Sequence, residues 1–131
     1  MARRDGSDLA RVLIDRAAGD ALAVRRLAAD AEMPDHVVGF HAQQAVKKLL
    51  KAVLSDHGVS YGRTHDLGLL VELVESSGLP APPQADELEV LTPWATALRY
   101  GEDPADPGPL DRPAALELIS RVSEWARQAL S

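Results

Sequence analysis

"GFHAQQAVKKLLKAVLSDHGVSYGRTHDLGLLVELV", residues 39–74, is the stretch on which the fold turns. Its first part carries Ala42, Ala45, Leu49, Ala52 and Val53, with Val38 just upstream, at the three- and four-residue spacings of one helix face. The period predicts a helix from Asp35 to His57, with Gly58 as its stop. Small residues dominate that face, so this helix is expected at the centre of the molecule. After a short linker, Thr64 reads as the cap of the next helix, and Asp66 falls in its first turn, where the macrodipole favours negative charge. Leu67, Leu70, Val71 and Val74 then face inward before Gly78.

Upstream, Ser7 reads as an N-cap for a helix reaching about Ala31, with Leu9, Val12, Leu13, Ala17, Ala21, Val24, Leu27 and Ala28 on its inner face. Gly19 weakens its middle by about 1 kcal/mol relative to Ala and allows a bend. Met33-Pro34-Asp35 ends that segment and offers Asp35 as the following cap. Downstream, "LPAPPQ" at 79–84 is a rigid turn, and a fourth helix is predicted from about Asp86 to Tyr100, kinked or split at Pro93. The Pro-rich loop 101–113 leads to Asp111, expected to cap a last helix whose stripe is Ala115, Leu118, Ile119, Val122, Trp125, Ala126 and Ala129. Trp94 and Trp125 fall on packing faces. No strand alternation and no repeat is present, so the pattern predicts a bundle of about five helices.

The chain has 131 residues, the size of one domain with one core, and 46% apolar but only 4% aromatic residues, so Leu, Val and Ala must build that core. It has no cysteine, which removes disulfides and thiolate chemistry. The start "MARRDGSDLARV" has no apolar segment of a secretory signal, and no apolar run approaches the roughly 18 residues of a membrane span. A soluble cytoplasmic protein is expected. A net charge of −6 argues against broad DNA binding, which relies on a basic footprint, but allows a local basic groove.

Two polar groupings could form such a groove. His41, Gln44, Lys48, Lys51 and Ser55 make a continuous stripe beside the apolar face of the central helix, able to hold phosphate oxygens. The plainer reading, which spacing alone favours, is a solvated flank. Lys47 falls on the outer face, as a solubility residue. Arg63, His65 and Asp66 stand at a helix N-terminus, where free N–H groups and the dipole suit an anion; the plainer reading is a cap with a locally bonded histidine. Arg99 and Tyr100 end the fourth helix. No Walker-type loop or dinucleotide fingerprint occurs, His36 and His41 are five apart and not a helical metal pair, and no hydrolase triad is evident. No metal or cofactor is expected.

"GFHAQQAVKKLLKAVL", "GRTHDLGLLVELV", "LTPWATALRYGED" and the final long helix together resemble the HEPN domain family of small prokaryotic helical proteins, over about Leu9 to Leu130. The resemblance implies an all-α, up-and-down bundle of four main helices plus an accessory helix, one domain over 1–131, usually homodimeric and often paired with a minimal nucleotidyltransferase in a toxin–antitoxin or related system. The family is linked to nucleotide or RNA binding, and many branches are metal-independent endoribonucleases. On this chain the motif positions are Gln44, Ala45, Lys48 and Lys51, then Thr64, His65 and Asp66, then Arg99 and Tyr100.

Two departures matter. Lys47 stands where the family commonly has Glu. The family's nuclease signature, an Arg separated by four to six residues from a His, is absent: from Arg99 the eligible positions are Pro104, Ala105 and Asp106. An Arg alone can stabilise a phosphate but cannot exchange protons near neutral pH. The expected function is therefore binding of nucleotide, RNA or a partner nucleotidyltransferase without standard ribonuclease activity. Lys48, Lys51, Arg63 and Arg99 would hold phosphate, and His65, Asp66 and Tyr100 would orient the site. No residue is assigned a catalytic role outright. The alternatives are an endoribonuclease toxin with a divergent site, for which His65 and Arg99 are the candidates, and a purely structural helical adaptor.

Overall fold

The computed structural model describes residues 4–95 and 108–130. Regular structure there is all helical: α1 (Arg4–Leu27), α2 (Asp35–Asp56), α3 (Leu67–Ser76), the single turn α4 (Ala85–Leu88) running into a 3-10 helix (Glu89–Ala95), and α5 (Arg112–Ala129). The all-α expectation holds, with no strand among the described residues. None of these helices is long and apolar enough to cross a membrane.

Fourteen of the 22 residues of α2 are buried, more than one face can supply, so this helix has neighbours on several sides and is central as its small residues predict. Its most extensive partner is α1; α5, the 3-10 helix and α3 cover other sides. Two close approaches depend on glycine. A Cβ on Gly39 would stand 2.4 Å from the Trp94 ring, and one on Gly6 would stand 2.4 Å from the Ser55 carbonyl oxygen. Trp94 and Trp125 are both buried, as read from sequence, and Trp125 Nε1 donates to the Pro80 carbonyl at 3.1 Å.

α1 differs from its prediction. It begins at Arg4 and ends at Leu27, and it runs unbroken through Gly19. Ser7 is therefore inside the helix and not its cap; its hydroxyl donates to Asp56 Oδ1 at 3.3 Å. The buried face is Ala10, Ala17, Ala21 and Val24, while Leu9 and Val12 are 46% and 49% exposed. Close contact with the alanine-rich α2 selects the small residues of α1 for the interface and turns the larger ones outward.

Asp35 is likewise the first residue of α2 and not its cap; Pro34 holds the cap position without a side-chain bond. The Asp35 carboxylate instead accepts from the Leu110 N–H at 3.0 Å and from Arg112 Nε at 3.1 Å. The Leu110 N–H, with help from Arg112 and against partial desolvation, lowers its pKa below the usual value. Arg112 also donates to the carbonyls of Leu27, Ala28, Asp30 and Met33. One guanidinium thus satisfies the open C-terminal end of α1 and ties the α1–α2 turn to the start of α5.

The predicted fourth helix is divided: Ala85–Leu88 is α-helical, and Pro93 sits within the 3-10 segment that follows. Arg99, Tyr100 and loop residues 101–107 lie outside the described residues. α5 follows its prediction closely. Asp111 caps it by accepting from the Ala114 N–H at 3.0 Å, and the buried stripe is Ala115, Leu118, Ile119, Val122, Trp125 and Ala126. At its far end His57 Nε2 donates to the Ala129 carbonyl at 2.8 Å.

Candidate functional site

The polar stripe of α2 is not a fully solvated flank: His41, Gln44, Lys48 and Lys51 are partly covered, and Ser55 is buried. Asp20 of α1 reaches it with both carboxylate oxygens. His41 Nδ1 lies 3.0 Å from Oδ1, and Lys48 Nζ lies 2.6 Å from Oδ2, with the Asp20 side chain only 12% exposed. Lys48, a motif position, therefore has a counter-ion inside the protein. Lys51 is placed over the Tyr61 ring, 5.2 Å from its centroid, and Tyr61 in turn hydrogen-bonds Ser55 at 2.8 Å. Partial burial lowers the pKa of Lys51.

Lys47 departs most from its expected place. It is 8% exposed, inside the protein and not on an outer face, and its Nζ lies 3.2 Å from His65 Nδ1. Burial first, then repulsion from Lys51 and Lys48, lowers its pKa to about 8, with Asp20 opposing. One turn earlier, fully buried Gln43 donates from Nε2 to the His65 backbone carbonyl at 3.0 Å, while its Oε1 has no hydrogen-bond partner among the described residues. The reason Lys47 turns inward is that the α2–α3 linker folds back across this side of α2.

That linker also revises the helix-start reading. α3 begins at Leu67, so its cap is Asp66, accepting from the Leu69 N–H at 3.2 Å, and not Thr64. Thr64 Oγ1 accepts from the Asp66 N–H at 3.0 Å within the turn. The Leu67 N–H is bonded to Thr92 Oγ1 at 3.1 Å. Two of the donors that make a helix N-terminus an anion site are thus used internally. Arg63 is exposed on the linker, two residues before His65.

The structure consequently brings His65 against α2 and places Lys51 one turn from Lys47; Asp66 serves as a cap, and Arg99 and Tyr100 lie outside the described residues. Sequence reading missed Asp20, Gln43, Lys47 and Tyr61. The one local signal was the Gln43–Lys47 pair, a single turn apart on the side away from the alanine face. Among the described residues no group of three or more His, Asp or Glu is placed to hold a metal ion.

No curated protein and no solved structure matches the chain. A family model described as the HEPN domain matches residues 10–129, nearly its whole length. With an all-helical fold and a match of that extent, the chain belongs to the HEPN domain family.

Proposed function

We propose that the protein binds a nucleotide or single-stranded RNA through the cationic side of α2, without the standard ribonuclease reaction. Membership of the HEPN family supports a nucleotide- or RNA-related role. The observation that narrows it is the state of three lysines within two turns: Lys48 is paired with Asp20, whereas Lys47 and Lys51 have no carboxylate in ion-pair contact among the described residues. Partly desolvated ammonium groups without a counter-ion gain most from an arriving phosphate.

In this reading Lys47 and Lys51 hold phosphate oxygens, Arg63 reaches in from the linker and Arg99 adds a second guanidinium. Lys48 supports the site through its pair with Asp20. His65, Asp66 and Tyr100 orient it. The acting unit is a homodimeric cytoplasmic protein of one domain over 1–131, with a minimal nucleotidyltransferase as protein partner. The absent Arg–His spacing is the reason for assigning binding and not cleavage.

The test is fluorescence anisotropy with labelled single-stranded RNA, run beside a gel time course in chelator. The wild-type chain is expected to bind and leave the RNA intact. A folded Lys47→Met/Lys51→Met variant is expected to bind at least about a hundredfold more weakly, since each charge-assisted contact contributes about 1.5–3 kcal/mol. Unchanged affinity in that variant refutes the site. Cleavage that disappears in His65→Ala and Arg99→Ala would replace it with the endoribonuclease reading, and partner binding that survives neutralisation of all these cations would favour the adaptor.

A further inference from the structure

Two successive turns of α2 grip His65. Gln43 Nε2 donates to its backbone carbonyl at 3.0 Å, and Lys47 Nζ stands 3.2 Å from its ring Nδ1, both from buried side chains. An ammonium has three donors and no acceptor, so Nδ1 must accept and the ring proton must sit on Nε2. We propose that Lys47, besides its own contact with phosphate, fixes His65 as the Nε2–H tautomer, so that His65 serves the phosphate site as a hydrogen-bond donor and not as a general base. This rests on the binding reading above and deepens it: one histidine of the site is chemically committed before any ligand arrives.

Among the described residues, the charged and titratable groups facing Lys47 are Lys48 and Lys51 on its own helix, Asp20 on α1 and His65 on the linker. Burial and the two lysines bring Lys47 to about 8, so at pH 7 it is still mainly an ammonium. Above about pH 8 the neutral amine gains a lone pair, Nδ1–H can donate to it, and the lock opens. Only then does Nε2 acquire the lone pair a base needs. Any acid–base work by His65 should therefore rise with pH through about 8.

The chain carries its own references. His41 Nδ1 faces the Asp20 carboxylate at 3.0 Å, which holds a proton on Nδ1, and His57 Nε2 faces the Ala129 carbonyl at 2.8 Å, which holds it on Nε2. A long-range 1H–15N spectrum of the full-length chain from pH 7 to pH 9.5, with His65 assigned by its loss in His65→Gln, reads all three. At pH 7 His65 is expected to match His57 and oppose His41. Wild type should lose that pattern as pH passes about 8, Lys47→Arg should keep it throughout, and Lys47→Met should show both tautomers already at pH 7. In RNA anisotropy at pH 7, Lys47→Arg should stay near wild type while Lys47→Met weakens about tenfold.

A wild-type His65 protonated on Nδ1 overturns the lock, as does a folded Lys47→Met chain with the wild-type pattern. If RNA binds and the tautomer is wrong, the lock alone fails. If the tautomer is right and no RNA binds, the binding reading fails and takes the donor role of His65 with it.

Discussion

Arg112 spends its donors on one carboxylate and a set of backbone carbonyls, and no other residue could replace that geometry. Arg112→Ala strips the carbonyls at the end of α1 of their guanidinium donor and leaves Asp35 with the Leu110 N–H but no cation, and is expected to destabilise the protein by about 2–4 kcal/mol in a denaturant titration. Lys at this position has neither the planar fork nor enough donors, so it should rescue little. The Asp35 contact has a pH signature. Because the folded state lowers its pKa, its stabilisation is complete above the ordinary carboxylate value and is lost as pH falls through the lowered one. Lys47 behaves in the opposite sense. Its folded pKa of about 8 lies below the ordinary lysine value of 10.5, so between those values the unfolded chain binds more protons and stability rises with pH. Lys47→Met should remove that rise in a series of melts and add about 1–2 kcal/mol at pH 7, a residue kept at a cost to stability.

At the scale of the element, what the sequence shows depends on whether one helix decides the matter alone. The stripe of α5 and its Asp111 cap were legible because period and cap both lie within the element. The start of α3 was not, since Thr64 and Asp66 are both good caps by type, and the choice is made by Thr92, 25 residues further along, which takes the Leu67 N–H. The inner face of α1 was misjudged for a related reason: Leu9 and Val12 are more apolar than Ala10 and Ala17, but the approach to α2 admits only the smaller pair. Lys47 was misplaced because one helix's period cannot show that a linker will fold over its polar side. Gly39 offers a test at this scale. Gly39→Ala puts a methyl group 2.4 Å from the Trp94 ring and is expected to destabilise by about 1–3 kcal/mol, with a changed tryptophan emission spectrum reporting the displaced ring.

For the molecule as a whole, a net charge of −6 is compatible with the proposed cationic site because a group of carboxylates gathers elsewhere. Asp66, Glu72, Glu75, Asp86 and Glu89 line one cleft of α3 and α4, while Lys47, Lys48 and Lys51 share α2. With two or three phosphates neutralised, the logarithm of RNA affinity should fall with the logarithm of salt at a slope of about −1.5 to −2; a much steeper slope would mean a broad basic footprint that the composition does not provide.

The two ties on α5 carry a kinetic consequence. α1 and α2 are neighbours along the chain and can pair early, whereas α5 is fastened at one end across 77 residues, Asp35 to Arg112, and at the other across 72, His57 to Ala129. Contacts of such separation close late, after the loop entropy has been spent. Cutting either tie should therefore leave the refolding rate nearly unchanged and quicken unfolding, so that α5 acts as the latch that sets how long the folded state lasts.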